Sequence, residues 1–153
     1  MLILGHSLIR RLNSFITDST HLDHHFLLHE DTHNTRRGKG GQTVEKTIRY
    51  DLQVVQSFVS HIVILQLGTN DLSHIDPLVA ASEIEDLVSI LYEEHRVQQI
   101  CVCQTLIRKN DAAFNARVKA LTKYLKVLPE PIPYCFFGGS QRFLEYFAEI
   151  FRS

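Results

Sequence analysis

The run Ile62-Val-Ile-Leu-Gln-Leu67 constrains the fold more than any other feature of the sequence. It is almost continuously apolar and rich in β-branched residues, which is typical of a central strand buried on both faces of a parallel sheet. Further candidate strands occur at 2–4, 25–28, 100–106 and 134–137. Because helical segments separate these strands, the sequence predicts an α/β fold with a mostly parallel, five-stranded sheet.

The helical segments are recognised by apolar residues spaced three and four positions apart, and by capping residues at their starts. The predicted helices run from Ser7 to Phe15, over the stripe from Val44 to Val55, from Asp76-Pro77 to Leu91, from Asn110-Asp111 to Leu128 and from Ser140 to Phe151. The polar stretch from Glu30 to Gly41 contains three glycines and is predicted to be a loop.

Composition narrows the class of protein. A chain of 153 residues with 44% apolar and 22% charged residues predicts one globular domain spanning 1–153. The net charge of −1 provides no basic field, so we do not expect this domain alone to bind nucleic acid. No run is long enough to cross a membrane, and Met1-Leu-Ile-Leu4 is too short for the core of a secretory signal. Three cysteines do not suggest a disulfide framework, and a cytoplasmic location is expected.

Polar residues follow three of the candidate strands, at the strand ends where open α/β sheets build their sites. The first loop is Gly5-His6-Ser7-Leu8, the second is Gly38-Lys39-Gly40-Gly41-Gln42-Thr43, and the third is Gly68-Thr69-Asn70-Asp71. Taken singly, each has a structural explanation: a helix cap, a flexible turn and an Asn/Asp turn. Together they bring a hydroxyl, a glycine N–H and a side-chain amide to one edge, which are the parts needed for acyl transfer.

The order Ser7, Gly41, Asn70 resembles the SGNH (GDSL-type) hydrolase family. The three loops are similar to the family's first three sequence blocks, and Phe114-Asn115-Ala116-Arg117 resembles a further segment common in these domains. Over its whole length the sequence pattern most resembles esterase-like domains encoded by non-LTR retroelements, and Arg10-Arg11-Leu12 contributes to that resemblance.

The resemblance implies a three-layer α/β/α sandwich of flavodoxin-like type, and we expect the strand order 2-1-3-4-5. It also implies hydrolysis of a small-molecule ester through an acyl-enzyme on Ser7, without a metal or an organic cofactor. The oxyanion hole would consist of the backbone N–H groups of Ser7 and Gly41 and the side chain of Asn70.

Two departures from the family pattern bear on activity. His6 stands where the family has Asp, and the family's last block, Asp-x-x-His, is not found near residue 150, where it is expected. The chain would then be a shortened or inactive copy lacking its catalytic base. His74, in Asp71-Leu-Ser-His74, is a candidate substitute base, whereas the histidines between 21 and 33 have no fixed metal-ligand geometry, so no metal is expected.

The sequence leaves three functional hypotheses. The first is a serine esterase or a shortened copy of one, and the second is a non-catalytic module that keeps the pocket and binds a ligand or partner. The third is a flavodoxin-like binder of phosphate or flavin, which gives Ser7 and Asn70 no natural role. An Asp-x-x-His just past residue 153 of a longer coding sequence would favour the enzyme.

Overall fold

The computed structural model describes residues 1–18, 35–58, 61–127 and 134–137. The strands are β1 (Leu2–Gly5), β2 (Thr35–Gly38), β3 (Ile62–Gln66), β4 (Gln99–Cys103) and β5 (Tyr134–Phe137). The helices are α1 (Ser7–Asp18), α2 (Val44–Tyr50), α3 (Leu52–Phe58), α4 (Pro77–Glu93) and α5 (Ala112–Leu125), with a 3-10 helix at Asp71–Ser73. Every strand pairing is parallel. The expected α/β fold with a parallel sheet is confirmed.

The described strands form one sheet in the order β2-β1-β3-β4-β5. The first four strands of this order carry the loops that matter for the site, and β5 pairs with β4 on the side away from β1. Among the described residues, no helix combines the length and the apolar character needed to cross a membrane.

Side chains from the strands alternate between the two faces of the sheet, as a period of two requires. Leu4, Leu65 and Val102 belong to the larger core, which buries the apolar stripes of α2, α3, α4 and α5. Ile3, Ile64 and Cys101 point to the opposite face, where they pack with Ile9 of α1. Among the described residues, helices therefore cover both faces: α1 lies on one face, and α2, α3, α4 and α5 lie on the other.

The predicted position of the second strand needs correction. The proposed strand at 25–28 lies outside the described residues, and β2 lies instead at Thr35–Gly38, within the stretch predicted to be a loop. This strand pairs only with β1 in the described sheet, so it does not need apolar side chains on both faces. Because its sequence, Thr-Arg-Arg-Gly, is polar, a search for apolar runs does not detect this strand.

The predicted helix over Val44–Val55 is two helices, because the helical hydrogen bonding is interrupted at Asp51. The backbone N–H of Asp51 bonds to the carbonyl of Thr47 and ends α2, while its own carbonyl accepts from Val54 N and begins α3. The predicted strand at 100–106 ends earlier, at Cys103. The proposed helix at 140–151 lies outside the described residues.

Gly38 allows α1 to pack against the end of β2. A Cβ atom built on Gly38 would lie 2.2 Å from the backbone nitrogen of Arg10 and 2.9 Å from the carbonyl oxygen of His6. Real Cβ atoms do not approach backbone this closely, so the start of α1 can reach β2 only because residue 38 has no side chain. This close packing fixes the turn that carries Ser7.

Candidate active site

The strand register brings the three polar loops to one edge of the sheet. Gly5, at the end of β1, is aligned with Gly38 on one side and with Gln66 on the other. The chain therefore leaves β1, β2 and β3 at the same level. A hydrogen bond of 3.1 Å from the backbone N–H of Lys39 to the carbonyl of Gly5 continues the first pairing one step beyond the strands.

Ser7 is the first residue of α1 and is partly exposed. Within the described residues neither its hydroxyl nor its backbone N–H has a hydrogen-bond partner. The first N–H groups of a helix have no acceptor within the helix, and the helix dipole places partial positive charge there. The Ser7 hydroxyl therefore lies beside a backbone donor that is available to a ligand.

His6 precedes Ser7 and is only 7% exposed. Its Nδ1 accepts a hydrogen bond of 3.2 Å from the backbone N–H of Leu8, and its Nε2 lies 3.3 Å from the hydroxyl oxygen of Thr69. Burial lowers the pKa of the imidazole, and the nearby carboxylate of Asp71 acts in the opposite direction. The ring thus links the turn before α1 to the loop after β3.

Gly41 lies in the loop after β2 with a φ of +66°, a backbone conformation that glycine adopts at little cost. Its carbonyl accepts a hydrogen bond of 2.9 Å from Nζ of Lys46. Its backbone N–H donates to no group in the part of the chain that the structure describes. The carbonyl of Gly41 is therefore held while the N–H remains available.

A buried carboxylate holds the residues on both sides of Gly41. Asp51 is 3% exposed; its Oδ2 accepts from Nε2 of Gln42 at 2.6 Å and its Oδ1 from Nζ of Lys39 at 3.1 Å. The same Gln42 amide also donates to the hydroxyl of Thr47 at 2.9 Å. We call Lys39, Gln42, Thr47 and Asp51 the Asp51 network. It fixes the glycine loop to the junction of α2 and α3.

Asn70 and Asp71 connect the loop after β3 to the loop after β2. The Nδ2 group of Asn70 donates a 2.7 Å hydrogen bond to the carbonyl of Gln42. Oδ1 of Asp71 accepts from the backbone N–H of Val44 at 2.9 Å, whereas its buried Oδ2 has no hydrogen-bond partner in the described residues. Burial raises the pKa of Asp71, against the stabilising effect of backbone hydrogen bonds on the charged form.

The three loops predicted to meet are therefore joined by hydrogen bonds between each neighbouring pair. The structure places Ser7, Gly41 and Asn70 on these loops. Asn70 makes one inter-loop bond itself, Ser7 directly follows His6, which makes another, and Gly41 directly precedes Gln42, the partner of Asn70. Their assignment as nucleophile and oxyanion donors stays a prediction, with which the arrangement is compatible.

His74 lies at the end of the 3-10 helix and is exposed. Its backbone N–H bonds to the carbonyl of Asp71, but its imidazole makes no hydrogen bond to any described residue. The histidines between 21 and 33 lie outside the described residues. In the ranges that are described, no group of three or more His, Cys, Asp or Glu side chains could hold a metal ion.

The segment Phe114-Asn115-Ala116-Arg117 anchors two loops beside the site. The Asn115 side chain accepts from the backbone N–H of Arg108 and donates to its carbonyl, both at 2.8 Å. Arg117 donates to the carbonyl of Ile75, and the guanidinium of Arg108 lies 3.7 Å from the centre of the Phe114 ring. This segment therefore supports the loops after β4 and after the 3-10 helix.

The Asp51 network is not predicted by the sequence patterns. One signal was present, because Asp51 interrupts the apolar stripe of the supposed single helix. A charged residue at such a position is usually solvated, so only the fold shows that Asp51 is buried and bonded to Lys39 and Gln42.

Comparison with known proteins gives similarity at the level of the fold. No family model matches the sequence, and no curated protein matches it. A protein from Streptococcus pneumonia, provisionally described as a platelet activating factor, is similar with a TM-score of 0.62 and 14% identity over 88% of this chain and 63% of that chain. A Bacteroides fragilis protein, provisionally described as an acylhydrolase, gives 0.58 and 20% identity over 91% and 70% of the two chains.

A GDSL-like lipase from Bacteroides thetaiotaomicron gives a TM-score of 0.52 and 16% identity, over 88% of this chain and 66% of that chain. At these identities the shared property is the fold. This chain therefore has the fold of GDSL-like lipases and acylhydrolases, as the sequence resemblance implied. It spans 63–70% of the length of these three structures.

Proposed function

We propose that this chain is an SGNH-type acyl-ester hydrolase domain in which Ser7 is the nucleophile. The backbone N–H groups of Ser7 and Gly41 and the side-chain amide of Asn70 form its oxyanion hole. One observation carries the proposal: these donors lie on three mutually bonded loops, and the N–H groups of Ser7 and Gly41 have no acceptor among the described residues. Fixed donors without an acceptor are what a developing oxyanion requires.

The reaction has two halves. In the first, Ser7 Oγ forms a bond to the acyl carbon of a small-molecule ester, the carbonyl electrons move onto oxygen, and the alcohol leaves with a proton. In the second, water attacks the acyl-enzyme and releases the acid, restoring the Ser7 hydroxyl. The three donors stabilise the oxyanion in both halves. No metal or organic cofactor enters this scheme.

The Ser7 hydroxyl is a poor nucleophile until a neighbouring base takes its proton. His6 does not meet this need, because both of its ring nitrogens are already engaged with Leu8 and Thr69. His74 is exposed and bonded to no described side chain. We therefore expect residues 1–153 alone to hydrolyse an activated ester barely faster than the Ser7→Ala variant.

The test is the rate of p-nitrophenyl acetate hydrolysis by residues 1–153, measured beside Ser7→Ala and His74→Ala. A longer form of the protein that supplies an Asp-x-x-His block should gain turnover that Ser7→Ala abolishes. Robust turnover of 1–153 that His74→Ala removes would make His74 the base. Hydrolysis that Ser7→Ala leaves unchanged in every form would overturn the role of Ser7.

A second candidate is a non-catalytic module that keeps the pocket and binds an acyl ligand or a partner. The observation in its favour is that Ser7 Oγ has no hydrogen-bond partner in the described residues. Binding of a non-hydrolysable phosphonate ester that Asn70→Ala weakens, together with no Ser7-dependent turnover in any longer form, would favour this module over the esterase.

The domain organisation of the chain is part of the same proposal. We assign residues 1–153 to one three-layer, flavodoxin-like α/β/α domain, and the two helix-covered faces of the sheet support this assignment. A cytoplasmic location and a retroelement origin stay predictions from the sequence.

A further inference from the structure

His6 is a buried imidazole placed between two loops of the candidate site. It is 7% exposed, and each ring nitrogen has one partner. Nδ1 faces the backbone N–H of Leu8 at 3.2 Å, and Nε2 faces the hydroxyl of Thr69 at 3.3 Å. The two partners are separated by 61 residues in sequence, so the ring makes a long-range link across the site.

The partner of Nδ1 fixes the tautomer. A backbone N–H can only donate, so Nδ1 must carry its lone pair toward Leu8. In a neutral imidazole the proton then resides on Nε2, which donates to the hydroxyl oxygen of Thr69. The ring has no free basic nitrogen left in this arrangement, so it cannot accept the proton of Ser7.

We propose that His6 is a positioning residue: as a neutral Nε2–H imidazole it caps the start of α1 and holds Ser7 against the Thr69 loop. The functional part of this inference rests on the proposed role of Ser7 as nucleophile. The carbonyl of His6 also accepts from Ile9 N at 3.0 Å, so backbone and side chain of one residue both close the first turn of the helix.

Protonation of the ring would break its contact with Leu8, whereas Nε2–H could still donate to Thr69. The imidazolium carries N–H on both nitrogens, so Nδ1–H would face the N–H of Leu8 and the cap would be lost. The charged group that acts on the pKa of His6 is Asp71, in the loop after β3, and its carboxylate favours the imidazolium. On the β2 side the ammonium of Lys39 is bonded to Asp51, and on α1 the side chain of Arg10 is exposed.

Two variants separate capping from charge. His6→Asn places an amide oxygen at a position before a helix where Asn is a preferred cap, and it does not titrate. His6→Ala removes the acceptor at every pH. His61→Asn is the matched control, because His61 is exposed and precedes β3 at the opposite edge of the sheet.

The experiment is long-range ¹H–¹⁵N NMR of the imidazole rings in residues 1–153, with the backbone amides of Ser7 and Leu8 followed over a pH titration. We expect His6 to show a protonated Nε2 and an unprotonated Nδ1 near neutral pH. The Leu8 and Ser7 amides should shift with the same midpoint as the His6 ring. His6→Asn should abolish that acid shift, and His61→Asn should leave it unchanged.

A protonated Nδ1 at neutral pH, or amides of Ser7 and Leu8 that do not respond when the His6 ring titrates, would overturn the inference. These readouts need no turnover, so a chain that proves unable to hydrolyse any ester removes the proposed function without deciding the role of His6. Where Ser7-dependent hydrolysis is measurable, His6→Ala should lower its rate by up to about 10²-fold, the cost of misplacing a reacting group by ~1 Å, and His6→Asn should restore most of it.

Discussion

The side-chain amide of Asn70 donates a hydrogen bond of 2.7 Å to the backbone carbonyl of Gln42. An amide group has two N–H bonds, so this contact uses one and leaves the second for a ligand. Because Gln42 directly follows Gly41, the same bond sets the position of the Asn70 amide relative to the glycine loop. The Asp51 network holds Gln42 from the other side, so the two loops are fixed as a unit.

Asn70→Ala should remove one donor from the oxyanion hole and one bond between the loops. In any form of the protein that shows Ser7-dependent ester hydrolysis, we expect kcat to fall by about 10²–10³. The control is Gln56→Ala, which deletes an exposed amide on α3 and should leave kcat unchanged. An Asn70→Ala enzyme with the kcat of the parent would exclude Asn70 from the mechanism.

Gly38→Ala and Gly40→Ala form a matched pair of loop substitutions. The new Cβ at residue 38 would meet backbone of α1 at 2.2 Å, whereas the Cβ at residue 40 would meet nothing within 4 Å. We expect the first to lower the free energy of unfolding by about 3 kcal/mol, the upper part of the range for overpacking, and the second to change it little. Urea unfolding measures both. Equal stabilities would mean that α1 does not pack on Gly38 as described.

Asp51→Ala should destabilise the fold more than Lys39→Met. The Asp51 side chain is 4% exposed and accepts two hydrogen bonds, while the Lys39 side chain is 50% exposed. Removing a buried acceptor of a charge-assisted bond costs about 1.5–3 kcal/mol, whereas a largely solvated partner contributes roughly 0–1 kcal/mol. Chemical denaturation of both variants gives the comparison. A larger loss in Lys39→Met would show that the ammonium, rather than Gln42, is the important partner of Asp51.

The lowered pKa of His6 predicts how the free energy of unfolding changes with pH. Below the unfolded-state pKa of about 6.5, the unfolded chain binds a proton at His6 that the folded chain resists, so the free energy of unfolding falls as the pH drops. His6→Asn removes this component. Between pH 7.5 and pH 5, its free energy of unfolding should therefore fall less than that of the parent chain, with His61→Asn as the reference. An identical fall in the parent and in His6→Asn would contradict the pKa direction.

Asp71→Asn should lower the pKa of His6 further. The carboxylate of Asp71 favours the imidazolium, and an amide lacks that charge while its oxygen can still accept from Val44 N. The His6 midpoint from an NMR titration should therefore move down in this variant. Glu45→Gln on α2 serves as the control, because the carboxylate that raises the His6 pKa is that of Asp71. An upward shift in Asp71→Asn would show that the two groups do not interact as described.

Some of this structure could be predicted from the sequence because the signals are local. The apolar run at 62–67 marks β3, and Asp76 and Asp111 cap α4 and α5 through their side chains, as their positions indicate. The three polar loops contain residue types that can be recognised at strand ends without the fold, although the second was placed after a strand at 25–28 and follows β2 instead. The chemistry assigned to Ser7, Gly41 and Asn70 stays a prediction.

Other features depend on contacts that local patterns do not carry. β2 is polar because only one of its edges is paired in the described sheet, so its burial requirement is weaker than that of β3. In the sequence, Asp51 resembles a solvated charge within a helical stripe, and His6 is noticed only because it stands where the SGNH family has Asp. Their partners, Gln42 for Asp51 and Thr69 for His6, become neighbours only when the sheet has formed.

The place of β2 at one end of the described sheet bears on how the protein behaves in concentrated solution. An outermost strand presents backbone groups that can pair with another copy of the chain, and aggregation often starts from such edges. This one is four residues long and carries an exposed arginine at position 37. Short length and a charge are both devices that discourage pairing between copies. Within the described sheet, the short polar sequence that makes β2 hard to predict is thus also one that disfavours pairing between copies along this edge.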